Sequence, residues 1–573
     1  MSFAIDIGQL LYTYPNQLQP ALSIENWQVE AGEWVYIQGK NGSGKSTFLK
    51  ILSGALPRFY GGEVVGTVSF FGHSLIGIDP IEHTRLVGYV HQQPEAQSVY
   101  QHVAQEVAFT MENLGFHPSQ MHWRVTEVLE MMGILHLRDK PLAELSGGMR
   151  QRVALAAAIA HHPKILLLDE PTSQVDPAAA QSILQMIHQF QLEWGMTVVM
   201  TEHQSQSIYP YAGQVVILEQ GSMVWHGAAC EAVAWWRQHN PIFLPITAQY
   251  PLCSETSPLE APLSVQDMRQ KLLHGMRQKT AGDSAKISSE DKQIDKQCID
   301  FSKQGTAKVD PVQGLVELQN VNAYYPLAEK LVLQELSLSL KEQSKICLIG
   351  PNGSGKSSIL RLLAGMLFVH SGKAKGSLLA THMRKGKRMV LKDIAYLPQN
   401  PAQWLFEESV EEEFRRVFRR FNQPLTEERL VQMLKQVHLL AERHRSPQDL
   451  SGGEQLRLSI SLTLLLKPRL LLLDEPTRGL DADTRIWLLD ELTRWDGTVC
   501  MATHDLELVA EWADEVVFID SGQAVVVDNP RRWMSQAMLY APVLARAFRG
   551  VDDEVFTWKD AGLRGWTLCK SPC

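Results

Sequence analysis

No stretch of this sequence stays apolar for long enough to cross a bilayer. A spanning helix needs about 18 or more consecutive apolar residues. The most apolar run, SISLTLLLKPRLLLLDEP, is broken by Lys467, Pro468 and Arg469. The amino-terminal MSFAIDIGQLLYTYP lacks a basic region followed by an apolar core, so no signal peptide is expected. Any membrane process is therefore expected to be served from the surface. Cysteine is scarce, seven in 573 residues, and no two form a C-x-x-C pair. Cys347 and Cys500 lie in apolar strand-like runs. The cysteines read as reduced small hydrophobes, which points to a reducing, cytoplasmic compartment. Positive charge is not in excess either. The formal net charge is -9 and the pI about 6.1. Nucleic-acid binders carry a basic domain or stripe, so no nucleic-acid partner is expected.

What remains is an ordinary globular composition, 45% hydrophobic and 20% charged. The length suggests roughly three to five domain-sized units, and each half is long enough to bury a core. The chain is a large internal repeat. GKNGSGKST from Gly39 recurs as GPNGSGKSS from Gly350, LSGGMRQR from Leu145 as LSGGEQLR from Leu450, and ILLLDEPTSQVD from Ile165 as LLLLDEPTRGLD from Leu470. Lys356 stands 311 residues after Lys45, Asp474 stands 305 after Asp169, and His504 stands 301 after His203. Two copies of one domain with small length differences explain these offsets. The expected organisation is domain one over 1–250, a polar linker over 251–312 and domain two over 313–573. The linker is rich in Ser, Lys, Gln and Asp and is too polar to bury a core, with a short helix expected near Val265 to Met276. A flexible coil of about 57 residues spans about 40 Å root-mean-square, which lets the two domains face each other.

Each copy carries a G-x-x-x-x-G-K-S phosphate loop. In the first it comprises Gly39, Asn41, Gly42, Ser43, Gly44, Lys45, Ser46 and Thr47. In the second it comprises Gly350, Asn352, Gly353, Ser354, Gly355, Lys356, Ser357 and Ser358. The glycines let backbone N–H groups approach phosphates closely, and the lysine places a charge at the β- and γ-phosphates. The Ser46 and Ser357 hydroxyls suit Mg2+. Each loop follows a strand-like run (EWVYIQG; KICLIG) and precedes a helix-like one (TFLKILSGAL; SILRLLAGML), which aims a helix N-terminus at the anion. Two apolar strands end in paired carboxylates, Asp169-Glu170 and Asp474-Glu475. Plain strand-end solvation explains such pairs poorly. Asp169 and Asp474 fit a Mg2+-organising role. Glu170 and Glu475 fit the group that orients or deprotonates an attacking water.

These motifs resemble those of ATP-binding cassette (ABC) ATPases, and the deciding one is LSGG, at Leu145 to Gly148 and Leu450 to Gly453. The resemblance covers nearly all the chain outside the linker. It implies an α/β fold: two tandem P-loop ATPase domains, each with a RecA-like core, an antiparallel β subdomain and an α-helical subdomain. It further implies ATP and Mg2+ as cofactors, and two domains docked head to tail within the chain. Site one would then join Lys45, Asp169, Glu170 and His203 to Ser451, Gly452 and Gly453. Site two would join Lys356, Asp474, Glu475 and His504 to Ser146, Gly147 and Gly148. Tyr14 and Tyr325, each followed by Pro, resemble the aromatic that stacks on adenine. Gln92 and Gln399 resemble the Q-loop glutamine, a Mg2+ and water contact that senses a membrane subunit. His203 and His504 resemble the histidine that holds the γ-phosphate. Asp176 and Asp481 resemble the D-loop aspartate, although the first copy has SQVD in place of S-x-L-D.

Three function classes compete. QPEAQSVYQHVAQEVAFTMENLG after Gln92, and NPAQWLFEESVEEEF after Gln399, resemble the Q-N-P-x-x-Q…E-x-V-A-F-x-x-E-N pattern of energy-coupling factor (ECF) importers. That resemblance implies a peripheral subunit on the cytoplasmic face of the cell membrane. Its partners would be a transmembrane subunit and a small substrate-binding membrane protein, and its cargo a vitamin, possibly thiamine-related, or a transition-metal ion. A translation-associated ABC ATPase is the second class; its linker is typically basic, and this one is mixed in charge. A tandem sugar-importer ATPase is the third; it usually has one weakened site, and both sites here keep Glu, His, Gln and LSGG. Trp235, Trp236 and Trp404 are expected to be buried packing residues. The stretch from about Arg531 onward extends past the last motif, to pack on domain two or contact the other domain.

Both sites are therefore expected to turn over. Glu170→Gln and Glu475→Gln should each lower steady-state ATP hydrolysis by about 100-fold or more, roughly 3 kcal/mol on the barrier. A rate left untouched by either change would remove two-site competence.

Overall fold

The computed structural model describes residues 3–75, 77–173, 175–249, 261–282, 314–326, 331–379, 388–389, 391, 393–420, 422–564 and 566. In the first copy the strands Gln214–Glu219, Trp34–Gln38, Thr197–Thr201, Ile165–Asp169 and Val87–Val90 lie side by side in that order, all parallel. WVYIQ, ILLLD and TVVMT are buried at every position, as expected of strands covered on both faces. Apolar residues fill them until the carboxyl end, where Asp169 and Thr201 deliver polar atoms. Ligands of open α/β sheets bind outside these ends. An antiparallel group, with Ile5–Thr13 between Leu22–Val29 and Glu63–Phe70, joins this sheet through Ser222–Ala228.

The second copy repeats the plan in the same strand order: Ile394–Leu397, Leu470–Asp474, Thr498–Ala502, Lys345–Ile349, Glu515–Asp520 and Gln523–Asp528. Its antiparallel group is a separate three-stranded sheet, with Val316–Tyr324 between Leu331–Leu340 and Phe368–Lys375. Each copy also carries a helical layer. In the second, Val410, Phe414 and Phe418 of helix Val410–Arg420 recur every fourth residue and pack with Leu430 and Leu434 of Glu427–Gln436. In the first, Val103, Val107 and Met111 do the same against Val125 and Leu129. The tandem P-loop architecture is the one the motifs implied.

Most of the expected linker falls outside the described residues. Its helix runs over Val265–Gly282, and Met268 and Leu272, one turn apart, are buried. Their apolar neighbours are Leu544, Phe548 and Val555 of the carboxyl-terminal extension, with Ile246 from the end of the first copy beside them. Trp558 Nε1 donates to the Ile246 carbonyl at 3.2 Å. The extension thus touches both the linker helix and the first copy. The helix expected near Val265 to Met276 is present, and the extension covers its apolar turn. Trp236 is 1% exposed, as expected, whereas Trp404 is 45% exposed and is not a packing residue. Among the described residues no helix is long and apolar enough to cross a membrane.

Candidate active site

Each phosphate loop sits between a buried strand and a helix, Lys45–Leu52 or Lys356–Leu363, that starts at its lysine. Gly44 and Gly355 precede those helices at φ 98° and 108°, a left-handed turn that disfavours a side chain. At Gly39 a Cβ would meet the Leu218 carbonyl oxygen at 2.3 Å. The lysine is drawn back over its own loop. Lys45 Nζ donates to the carbonyls of Gly39 and Lys40 at 2.8 and 2.9 Å, and Lys356 Nζ to those of Gly350 and Pro351 at 2.9 Å each. Burial lowers the pKa of both ammonium groups, against the pull of Glu170, Asp169 and Asp481 on Lys45 and of Glu475, Asp176 and Asp474 on Lys356. The Ser43 and Ser354 hydroxyls are buried with no protein partner, which suits a ligand lying in the loop. Tyr14 and Tyr325 stand over the helix starts, their hydroxyls 3.0 Å from Thr47 Oγ1 and Ser358 Oγ.

Ser46 Oγ lies 3.1 Å from Asp169 Oδ1, and Ser357 Oγ 2.8 Å from Asp474 Oδ1. A hydroxyl and a carboxylate converging on one point are the hard oxygen donors that Mg2+ takes, so the residues present fit that ion. Thr201 Oγ1 donates to the same Asp169 oxygen at 2.8 Å, and Tyr396 Oη to Asp474 Oδ2 at 3.3 Å. Burial raises both aspartate pKa values, and these hydrogen bonds oppose it.

The next residue leaves the strand abruptly. Glu170 and Glu475 have φ of 49° and 51°, in the left-handed region that a non-glycine residue enters at a cost of about 1–3 kcal/mol. Backbone bonds to the neighbouring strand hold them there: Glu170 N to the Thr201 carbonyl at 3.1 Å, Glu475 N to the Ala502 carbonyl at 2.9 Å. The two carboxylates then differ. Glu170 lies 2.7 Å from His203 Nε2 and accepts from Gln92 Nε2 at 2.7 Å. Burial would raise its pKa, but His203, Lys45 and Gln92 outweigh it and hold the group below the ordinary value. Glu475 lies 3.3 Å from His504 Nε2, which is 3.0 Å from Asn352 Oδ1. Burial pushes Glu475 up to about 7, and burial followed by Lys356 pushes His504 down to about 3. Gln399 is exposed.

The signature serines are helix caps. Ser146 Oγ accepts from Met149 N at 3.4 Å, at the start of Gly147–Ile159. Ser451 caps Gly452–Leu464 in the same way but is enclosed by Glu454. Its hydroxyl donates to Glu454 Oε2 at 2.7 Å and its backbone N–H at 2.8 Å. The D-loops reach across the copies. Asp176 Oδ1 caps its own helix through Ala179 N at 3.0 Å, while Oδ2 accepts from Asn352 N at 3.4 Å. Asp481 Oδ1 accepts from Thr484 N at 2.9 Å and Oδ2 from Asn41 N at 3.4 Å. Asn41 Nδ2 also donates to the Gly479 carbonyl at 3.3 Å, and Lys40 Nζ to Asp483 Oδ2 at 2.5 Å. The structure therefore brings each phosphate loop to the other copy's D-loop. Sequence reasoning missed Thr201, Tyr396 and Lys40; only their places at strand ends and loop edges hinted at them.

The ABC transporter family profile matches residues 22–173 and again 333–478. A relative from Bacillus cereus, named as a candidate ABC transporter ATP-binding protein, is 31% identical over 560 residues, covering 97% of each chain. One of the same description from Streptomyces coelicolor is 32% identical over 567 residues, covering 93% of this chain and 95% of its own. A solved structure of cbiO1 from Clostridium perfringens, described as part of the ABC transporter complex cbiONQ, is 28% identical. It matches 42% of this chain and 97% of its own with a TM-score of 0.36.

Glu454 occupies the hydroxyl of the signature serine that would serve site one, whereas the first copy has Met149 at that position. Glu454→Met is expected to lower the KM for ATP by about 2- to 5-fold, because the freed hydroxyl gains one hydrogen bond of about 0.5–1 kcal/mol. Steady-state kinetics checks this, and an unchanged or raised KM would contradict it.

Proposed function

Because the chain belongs to the ABC transporter family, whose ATP-binding domains hydrolyse ATP, we propose that it is the energising subunit of an ECF-type importer. In this reading it works at the cytoplasmic face of the cell membrane with a transmembrane subunit and a small substrate-binding membrane protein. The cargo is a vitamin or a transition-metal ion. The observation that carries the reading is the construction beside each Q-loop. Val99 and Tyr100 in the first copy and Phe406 in the second are exposed apolar residues after the Q-loop. In each copy a buried glutamate fixes that loop from below. Glu106 Oε2 accepts from Val99 N at 2.9 Å and Tyr100 N at 2.8 Å. Glu413 accepts from the backbone N–H groups of Phe406 and Glu407. Gln97 braces the first Q-loop, accepting from His91 N at 3.0 Å and donating to the Tyr89 carbonyl at 2.9 Å. The glutamines and glutamates of the ECF-like pattern thus build a rigid platform for apolar side chains, which suits short helices of a membrane partner.

The mechanism follows from the site. The phosphate loops bind ATP, with Tyr14 and Tyr325 against adenine and Lys45 and Lys356 at the phosphates. Mg2+, when bound through Ser46, Asp169 and Gln92 or through Ser357, Asp474 and Gln399, neutralises phosphate charge. Glu170 and Glu475 orient and deprotonate the attacking water, and His203 and His504 hold the γ-phosphate. Ser146, Gly147 and Gly148 close site two, and Ser451, Gly452 and Gly453 close site one, each at a helix N-terminus. The bonds from Asn41 to Asp481 and from Asn352 to Asp176 support pairing of the two domains within the chain. Closure on ATP moves the helical layers and the Q-loop platforms with them, and hydrolysis reopens the pair.

Tagged protein purified from native membranes is expected to bring down a multi-helix transmembrane protein and a small integral membrane protein, identified by mass spectrometry. Ribosomal proteins without a membrane subunit would overturn the import reading.

A further inference from the structure

Within their shared motifs the two copies differ in charge at one junction. Arg478 follows the Asp474-Glu475 pair, and its backbone N–H closes the turn of Glu475 by donating to the Glu475 carbonyl at 3.2 Å. Its side chain leaves the copy: Nε donates to the Ser173 carbonyl of the first copy at 2.9 Å. Ser173 occupies the equivalent turn there, donating to the Glu170 carbonyl through Oγ at 2.9 Å and through N at 3.2 Å. Three consecutive residue pairs, Glu475–Arg478, Arg478–Ser173 and Ser173–Glu170, therefore tie the two catalytic turns together.

Within the first copy, Glu95, three residues after Gln92, is bonded to Arg150 Nη2 at 2.9 Å, and Arg150 lies on the helix that begins at Ser146. Burial lowers the Arg478 pKa, and the negative charges of Glu475 and Glu95 oppose that. At the mirrored junction the repeat places Ser173 for Arg478, Ala402 for Glu95 and Gln455 for Arg150. All three charges are absent there, and Gln455 instead donates to the Pro447 carbonyl of its own copy at 3.1 Å.

We propose that Arg478 is a positioning residue that locks the Glu475 turn of site two against the Ser173 turn of the first copy. The donor comes from the second copy alone, because the first has Ser173 at the equivalent position, whose hydroxyl bonds its own Glu170 carbonyl. The two turns are therefore held by one side chain that belongs to site two. This inference rests on the reading of Glu475 as catalytic. Arg478 touches no reacting atom; it acts by fixing where Glu475 sits.

The test is steady-state ATP hydrolysis by the full chain carrying Arg478→Ser, Arg478→Lys, Glu95→Ala and the Glu95→Ala/Arg478→Ser pair, with Glu475→Gln alongside. Arg478→Ser should lower kcat by about tenfold, with the KM for ATP within about twofold, since placement of the water-activating group is lost and ground-state binding is not. Arg478→Lys, which keeps a donor and a charge, should recover at least half of that loss. Glu95→Ala, which leaves the Arg478–Ser173 bond in place, should keep kcat within about twofold, and the pair should match Arg478→Ser. The thermal midpoint should be unchanged throughout. If Glu475→Gln abolishes turnover but Arg478→Ser keeps full kcat, the positioning role is overturned while the site reading stands. If Glu475→Gln leaves turnover intact, the site reading itself is overturned and the role of Arg478 falls with it.

Discussion

Asp176 and Asp481 each divide their two carboxylate oxygens between a helix of their own copy and the phosphate loop of the other. One oxygen satisfies an N–H that a helix start leaves orphaned, a cap worth about 0.5–2 kcal/mol. The second accepts the backbone N–H of Asn41 or Asn352. A single rigid side chain therefore fixes the start of a helix and the approach of the opposite domain together. The rest of the arrangement depends on it. The glutamate turns and Arg478 lie within a few residues of these aspartates, and Gly148 and Gly453 of the signature helices sit beside Val175 and Thr484 of their own copies. A D-loop that shifted would carry these bonds to the opposite phosphate loop with it.

The turns at Glu170 and Glu475 are the strained part. A parallel strand buried on both faces cannot carry charge until it ends, so the carboxylates cluster at the strand terminus. Asp169 and Asp474 remain in register with the neighbouring strand; the Thr201 hydroxyl reaches Asp169 from it, and the Tyr396 phenol reaches Asp474 from the strand on the other side. Glu170 and Glu475 bend into the left-handed region and are fixed by bonds to the in-register neighbour. Identical strand and turn geometry nevertheless supports two electrostatic settings. Glu170 is held as a carboxylate by His203, Lys45 and Gln92, whereas burial dominates at Glu475. The difference comes from the side chains around each turn: His203 and Gln92 bond Glu170, whereas Gln399 is exposed and the lowering by Lys356 and Arg478 does not offset burial at Glu475.

The tandem fold was legible because its signals are local. A phosphate loop needs glycine where backbone must approach an anion, and a buried strand needs an unbroken apolar run; both are written over fewer than a dozen residues. The positions of Gly39, Lys45, Asp169 and Glu170 followed from motif spacing alone. What was not legible depends on pairing between residues about 300 apart. Nothing local in TRGLD says that Arg478 bonds the first copy's Ser173. Nothing in the polar run around Met268 and Leu272 says that the carboxyl-terminal extension would cover them. Trp404 was misjudged for a related reason: an aromatic residue is usually buried, and only the loop fixed by Glu413 beside it explains why this one stands exposed.

The central claim is that ATP is shared between the copies. The most direct measurement is a cryo-electron microscopy structure of the Glu170→Gln/Glu475→Gln chain with ATP and Mg2+. The account predicts two nucleotides, one between the loop of Lys45 and the helix capped by Ser451, the other between the loop of Lys356 and the helix capped by Ser146. Nucleotides bound to the loops with Ser146 and Ser451 facing solvent, and with Asp176 and Asp481 parted from the opposite loops, would contradict it.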